Sequence, residues 1–489
     1  MEAVVVSKVD DQKKPHVIII PYPAQSHIKC MLKLARLLHH KGLDITFINT
    51  KSNQRRLLKH GGSHSLTDLP GFQFKTVPDG LPDTSDDGTE PTQTPQELTV
   101  YLLINFFDSF TDLVAGLETP PTCIICDGFM TFTKTIDAAE NLKVPLILYW
   151  TLAACGFMAY YQAKGLLDKG LVPLKDESDL TNGFLDTLID WIPGMEKIRL
   201  RDLPKDILAT KSNDRALNWH VNSARRADKV SHMIIHTFDD LEASLVKEVK
   251  TIFANVYTVG PLQLLMNQIT EKETNSGNLN GYSLWKEEPE CVQWLQLKEP
   301  NSVVYVNFGS LATMSLQDLI ELGWGLVNSN HYFLWIIRTD LVDGKPSLLP
   351  QELEEMITTR GFIASWCSQE EVLNHPAIGG FLTHGGWGSV IESLSAGVPM
   401  LCWPFSHDQQ VNCRQMCKEW EVGMEIEGNV KRDDVEKFVR ELMDGIEGKR
   451  MRKKVMEWKE MAEIAAGLKG SSYLDIENLA HDITILSRN

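Results

Sequence analysis

The sequence predicts an α/β protein of two doubly wound domains that face each other across a cleft. Three observations carry this expectation. The chain has 489 residues, more than one ordinary hydrophobic core serves, which favours two domains. Short apolar runs of buried-strand type alternate with helical patterns in both halves. A polar stretch rich in Asn, Glu, Lys and Gly, Met266–Ser283, separates the halves.

The elements follow in chain order. Residues 1–14 read as a polar tail. His16–Ile20 reads as a buried parallel strand, and Pro21–Ser26 as a turn. Met31, Leu32, Leu34, Ala35, Leu37 and Leu38 recur at helical spacing, Gly42 ends that helix, and Leu43–Asn49 reads as the next strand. A strand–helix–strand unit of this kind predicts a parallel sheet. Gly80–Thr94 reads as a loop. Thr122–Cys126, Val144–Tyr149, His232–His236 and Val256–Val259 are the remaining strands of the first half. Ser302–Asn307, Tyr332–Arg338, Gly361–Ser365, Gly380–Thr383 and Val398–Trp403 form the second set. Charged amphipathic helices over Arg432–Ala466 and Ser471–Leu486 close the chain. The expected divisions are a first domain over 1–263, a linker over 264–290, a second domain over 291–470, and a terminal helix over 471–489 packing back on the first domain.

Composition narrows the function. A net charge of −17 argues against a nucleic-acid or anionic-membrane partner, since both need a basic face. It leaves room for a small anionic ligand, which backbone dipoles hold on an acidic protein. The nine cysteines show no dense spacing. Cys123 and Cys126 would point to opposite faces of a strand, and Cys413 and Cys417 are helically spaced, so both pairs read as core thiols. Reduced thiols suit the cytoplasm. No run approaches a membrane span, and the N-terminal apolar stretch is too short for a signal peptide.

Functional residue types are densest between Trp366 and Gln409. Gly380–Thr383 reads as a strand, His384-Gly-Gly as a tight loop, and Ser389 as the opening of a helix toward Ala396. A glycine-rich loop before a helix N-terminus is an anion site, because free backbone N–H groups and the helix dipole point at the phosphate. His384 and Ser389 add side-chain donors. Glu392, one turn into the helix, suits two ribose hydroxyls. Trp366 offers a flat face to a planar base. Asp408 and Gln409 follow the next strand and suit sugar hydroxyls, with a helix N-cap as the structural role of Asp408.

This ordering closely resembles the signature box of the plant family-1 UDP-glycosyltransferases, and Trp366 to Gln409 matches its 44-residue span without insertion. The resemblance implies a GT-B fold, two Rossmann-like domains facing a cleft. It implies that Trp366 stacks on uracil, that Gln369 and Glu392 hold the ribose, and that His384 and Ser389 hold phosphate. Trp387, Asp408 and Gln409 are implied to bind the sugar, with the terminal Gln409 pointing to glucose. Ser310, in Asn307-Phe-Gly-Ser310, is implied to reach the β-phosphate and Thr151 to touch the sugar. One position departs: the family usually carries Asn where this chain has Gly388. Cys367-Ser368 also replaces the common Ala-Pro.

His27 follows the first strand at the crevice position of a doubly wound sheet. From position alone a helix-cap or surface histidine is as good a reading. Asp127 ends a strand before Gly128 and is equally well a turn aspartate. The resemblance assigns them as catalytic base and partner, in the contexts Pro21–His27 and Cys126-Asp-Gly-Phe129. It implies UDP-glucose as donor substrate, no metal and no separate cofactor, and inversion to a β-glucoside. Tyr149–Phe157, Trp285–Cys291 and Gly323–Asn328 resemble the members that act on terpenoid, cyanohydrin and phenolic acceptors. They favour a small lipophilic acceptor, a diterpenoid alcohol such as steviol attacked at its 13-hydroxyl, with an iridoid, cyanohydrin or flavonol as alternatives. Phe129, Phe157 and Met158 are candidate acceptor-pocket residues. A nucleotide-sugar-binding protein without turnover would lack His27 or Asp127. A dinucleotide-dependent oxidoreductase would carry G-x-G-x-x-G after the first strand. A cytoplasmic monomer is expected.

Overall fold

The computed structural model describes residues 14–60, 69–80, 102, 106, 108–133, 135–208, 214–227, 229–270, 282–342 and 349–487. The predicted loop Gly80–Thr94, beyond Gly80 itself, and the tail through residue 13 lie outside the described residues.

The strands in order are β1 (His16–Ile20), β2 (Asp44–Thr50), β3 (Phe72–Val77), β4 (Cys123–Asp127), β5 (Leu146–Trp150), the short pair β6 (Leu188–Ile189) and β7 (Ile198–Arg199), β8 (His232–Ile235), β9 (Asn255–Thr258), β10 (Val303–Asn307), β11 (Tyr332–Ile336), β12 (Gly361–Ala364), β13 (Ile378–Thr383), β14 (Met400–Cys402) and β15 (Gly423–Glu425). They form two parallel sheets, β3-β2-β1-β4-β5-β8-β9 and β12-β11-β10-β13-β14-β15. The strands at the centre of each sheet are buried on both faces, which is why they read as unbroken apolar runs. The two α/β domains are the GT-B arrangement.

Strand order explains which distant residues meet. In the first sheet β1 lies between β2 and β4, so the chain reverses its winding there. Ile20 is in register with Cys126, and the residues that follow each strand emerge side by side. In the second sheet β10 lies between β11 and β13, and Asn307 is in register with Thr383. Ligand crevices in doubly wound sheets form at such reversals, beyond the carboxyl ends of the strands.

Three expectations change. The helix expected from Ser389 begins at Trp387, with Gly386 as its N-cap, and ends at Ala396 before the left-handed Gly397. The linker expected over 264–290 begins as the helix Leu262–Thr270. Leu262, Leu265, Met266 and Ile269 are buried in the cluster that also holds the first-sheet core, and their helical spacing was masked by the polar residues beyond them. Residues 271–281 lie outside the described residues. The helix expected over Arg432–Ala466 is two helices, Arg432–Asp444 and Ile446–Ala466, parted at Gly445 in extended conformation. The short strands β3, β6, β7 and β15 escaped the sequence reading, being brief or only partly apolar.

The final helix Ser471–Leu486 lies against the first sheet. Ile476, Leu479 and Ile483 share a buried cluster with Val17, Ile19 and Tyr257. Asp475 accepts from the Thr258 amide at 2.7 Å, and Tyr257 Oη donates to Asp482 at 2.6 Å.

Candidate functional site

A cavity of about 760 Å³ opens between the two sheets' carboxyl ends. One of its walls starts from the helix Gln25–His40, which follows β1. His27, in the first turn, is 9 % exposed and lines the cavity. Its Nδ1 lies 2.8 Å from Asp127 Oδ2 and 2.8 Å from Thr151 Oγ1. Asp127 is the last residue of β4, fully buried, and its other oxygen accepts from the Phe129 amide at 2.9 Å. An anchored carboxylate at Nδ1 fixes the ring and leaves Nε2 as the proton-accepting atom. Thr151 therefore sits on this pair, with its hydroxyl engaged by His27 and Asp127 (3.4 Å).

Aromatic rings surround the imidazole. Tyr22 and Phe129 meet it edge-on at 5.3 and 5.4 Å, and Phe129 stacks on Trp150 at 5.2 Å. Phe129 lines the cavity together with Trp219 and Leu152. Phe157 and Met158 do not: they are 2 % and 0 % exposed and belong to the core. Their hydrophobic character read equally well either way, and the helix Ala154–Tyr161 turns both inward.

The opposite wall comes from the second domain. All the predicted donor-side residues there line the cavity: Ser310, Trp366, Gln369, His384, Trp387, Gly388, Ser389, Glu392, Asp408 and Gln409. Gln369 organises it. Its Nε2 donates to Glu392 Oε2 at 2.8 Å and Ser389 Oγ at 3.1 Å, and its Oε1 accepts from Asn307 Nδ2 at 3.0 Å. Trp366 is backed by Trp285, ring centroids 4.8 Å apart.

His384 lies between two glycines. A Cβ at Gly309 would approach its ring to 2.7 Å, and one at Gly386 to 2.4 Å. Burial holds the His384 imidazole down to about 3, with the charge of Arg338 adding to the effect. The ring is therefore neutral at working pH, and among the described residues its buried Nδ1 makes no hydrogen bond of normal length and angle. Arg338 donates to the carbonyls of Gly309 and, at 2.9 Å, Ala312, fixing the loop that presents Ser310.

Trp387 keeps its indole in the core. Its indole is 1 % exposed and donates to the His236 carbonyl at 2.6 Å, so the side chain is committed to packing. What it offers a ligand is backbone, in the first turn of the helix, where N–H groups lack intrahelical partners. Gly388 follows, and a Cβ there would meet nothing within 4 Å.

Asp408 stands at the N-cap of the helix Gln409–Arg414 but makes no capping hydrogen bond, which corrects its structural reading. Its Oδ2 accepts from Asn412 Nδ2 at 2.8 Å, and burial pushes the carboxyl up to about 6. Gln409 Oε1 accepts from the amides of Phe405 and Ser406 at 2.8 and 3.0 Å.

Sequence reasoning missed the groups that join the walls. Lys29 Nζ reaches Glu392 at 3.0 Å and Glu370 at 2.5 Å, and Lys33 reaches the same Glu370 oxygen at 2.5 Å. Asp206 accepts from Tyr160 Oη at 3.3 Å and pairs with His407 at 3.3 Å. These are single charged residues in ordinary helical or turn contexts, and only the fold makes them neighbours.

Comparisons with known proteins agree with this geometry. Residues 223–462 match the family described as UDP-glucoronosyl and UDP-glucosyl transferase. UDP-glycosyltransferase 85C1 of Stevia rebaudiana is 69 % identical over 479 residues, covering 98 % of this chain and 99 % of that protein. UDP-glycosyltransferase 85C2 of the same plant is 58 % identical, covering 98 % of each. The 7-deoxyloganetin glucosyltransferase of Catharanthus roseus is 51 % identical, covering 97 % of each. Among solved structures, a UDP-glucose:anthocyanidin 3-O-glucosyltransferase in complex with UDP superposes with a TM-score of 0.79 at 27 % identity, covering 97 % of this chain and 99 % of that one. A two-domain parallel fold, a cavity between the domains and relatives matched over nearly their whole length lead to one assignment: the chain belongs to the plant family-1 UDP-glycosyltransferases.

Proposed function

We propose that the enzyme transfers glucose from UDP-glucose to a hydroxyl of a diterpenoid alcohol such as steviol, at its 13-position, with His27 as general base. The observation that carries this is the His27–Asp127 contact of 2.8 Å on one wall of a cavity whose other wall holds the donor-side residues. Imidazole is far too weak a base to deprotonate an alcohol outright. His27 Nε2 instead takes the proton as the acceptor oxygen bonds to the anomeric carbon. The bond from that carbon to the β-phosphate oxygen breaks, and its electron pair leaves with UDP. Attack from the face opposite UDP converts an α-linked donor to a β-glucoside. Asp127 keeps Nδ1 protonated and stabilises the imidazolium.

Family-1 enzymes use a UDP-sugar and no metal, so negative charge on the departing diphosphate falls to protein dipoles. The first turn of the helix Trp387–Ala396, His384 and Ser310 supply them. Trp366 backs the uracil, Gln369 and Glu392 take the ribose hydroxyls, and Asp408 and Gln409 take the glucose. The aromatic surround of His27 suits a bulky apolar acceptor, and the Tyr149–Phe157 stretch adds to the terpenoid reading. The relative named for 7-deoxyloganetin favours an iridoid as the second reading. Cytoplasmic location is supported by nine unpaired cysteines. Among the described residues no helix is long and apolar enough to cross a membrane.

The test is mass spectrometry of purified enzyme with UDP-glucose and steviol, a monoterpenol, an iridoid, a cyanohydrin and a flavonol. One hexose added to steviol supports the full reading. A hexose added only to another acceptor keeps the glucosyl transfer and replaces the acceptor. UDP binding without glucosylation of any of them overturns the catalytic reading.

A further inference from the structure

We propose that Lys29 is a positioning residue for the donor, a cation lent by the first domain to hold the ribose-reading carboxylate of the second. The proposal rests on the assignment of Glu392 to the ribose. Lys29 lies two residues beyond His27 on the helix Gln25–His40. Helical residues two apart face different directions. One turn of helix therefore turns an imidazole toward Asp127 and an ammonium across the cleft.

The ammonium meets two carboxylates from two different helices. Glu392, on Trp387–Ala396, receives it at Oε1 at 3.0 Å, and Glu370, on Gln369–Leu373, at 2.5 Å. Lys33 meets the same Glu370 oxygen one turn later. The result is a quartet of two cations and two anions, which balances its own charge inside a chain of net −17. Both Glu392 oxygens are held, Oε1 by Lys29 and Oε2 by Gln369 Nε2 at 2.8 Å. Each carboxylate oxygen accepts about two hydrogen bonds, so a diol binds Glu392 without expelling either partner. Lys29 also lines the cavity itself.

Chemistry gives the contact a purpose. Glu392 is 8 % exposed, and burial raises its carboxyl above the ordinary range, with Lys29 opposing that rise. A protonated carboxyl loses part of its capacity to accept from two ribose hydroxyls. The groups facing Glu392 are Lys29 and Lys33 from the first domain and Glu370 from the second, with Glu287 facing Lys29 and Glu370. Of these only the lysines favour the ionised form. The donor site is thus complete only when the two domains are together, because its carboxylate is held by Gln369 from its own wall and by Lys29 from the opposite one.

The experiment measures calorimetric affinities of the full chain for UDP and for 2′,3′-dideoxy-UDP, at pH 6 and pH 8. The variants are Lys29→Met, Lys29→Arg and Glu392→Gln. Lys29→Met is expected to weaken UDP about tenfold, more at pH 6 than at pH 8, and to leave the dideoxy analogue within about twofold. Lys29→Arg is expected to restore UDP to within about threefold of the parent. A general packing defect would weaken both ligands alike, and that result overturns the proposal. So does an unchanged UDP affinity in Lys29→Met when Glu392→Gln weakens UDP, in which case the ribose assignment survives alone. If Glu392→Gln leaves UDP binding unchanged, the ribose assignment fails and the role of Lys29 falls with it.

Discussion

The two walls of the cleft solve different problems. On the proposed donor wall polar side chains fix one another: Gln369 alone binds Asn307, Ser389 and Glu392. On the proposed acceptor wall Tyr22, Phe129 and Trp219 present rings about one imidazole, the proposed base. A wall of mutually fixed polar groups recognises one invariant ligand, because any displaced member leaves others unpaired. A wall of rings recognises size and shape and tolerates change. Substitutions on the donor wall should therefore act on binding, and those at the imidazole on rate.

The largest separation of those effects is expected at His27. His27→Ala should lower transfer by about 10²–10⁴-fold while UDP affinity stays within about twofold. Single-turnover mass spectrometry and calorimetry on the same preparation measure both. Asp127→Asn keeps the shape and the bond from the Phe129 amide but removes the charge that orients Nδ1, and should cost about 10²-fold in kcat. If either variant loses UDP binding in proportion to rate, the division between the walls fails.

A smaller but sharper break lies on the donor wall, at Gly386. A methyl group there would come within 2.4 Å of His384 Nε2, so the ring must move. Gly386→Ala should weaken UDP about 10–100-fold, the scale of one or two lost hydrogen bonds to a charged ligand. Stability should change little, because the N-cap backbone is already extended at φ −62°, ψ 139°.

The same contrast explains what could be read from the sequence. The proposed donor wall was legible because all its expected residues but Ser310 lie in one run of 44, where order and spacing stand in for geometry. The pairing of His27 with Asp127 spans 100 residues, and it became legible only through two short local contexts that resemble the family. Lys29 and Glu370 were not legible. A lysine and a glutamate in amphipathic helices look like solvated charges until strand order brings the helices together. Trp387 was legible as a site residue but not in its manner of use, since nothing in the sequence says that its indole turns inward to the His236 carbonyl. Helix starts failed for a related reason. Ser389 is a good capping residue, yet the backbone begins the helix at Trp387 with a glycine cap and no side-chain hydrogen bond.

A further test concerns pH. Asp408 is 4 % exposed with its carboxyl raised to about 6, whereas an aspartate in an unfolded chain titrates near 3.9. Between these values the native state binds the proton more tightly, so this group's contribution to stability is lost as pH rises through about 4 to 6. Asp408→Asn removes the buried charge and keeps the shape. It should raise stability at pH 7 by on the order of 1 kcal/mol and at pH 5 by about half as much, while glucose transfer falls about tenfold. Thermal melts at the two pH values decide it, and an equal gain at both would mean that burial of charge is not the cause.

The smallest expected effect sits two residues beyond the glycine that tolerates nothing. Gly388 faces open space, with no atom within 4 Å of a built Cβ, and the family pattern usually has Asn there. Gly388→Asn therefore adds an amide beside the first turn of the donor helix without displacing a neighbour. One added hydrogen bond to a charged ligand corresponds to UDP-glucose binding tighter by about tenfold, and the helix gains only about 0.3 kcal/mol from the loss of a glycine. Calorimetry with UDP and with UDP-glucose separates the two places where the amide can act. A gain for both puts it on the diphosphate, and a gain for UDP-glucose alone puts it on the sugar. Weaker binding of both would mean that the donor uses the close backbone approach that only glycine allows, and that this wall is built around Gly388 rather than lacking a side chain at it.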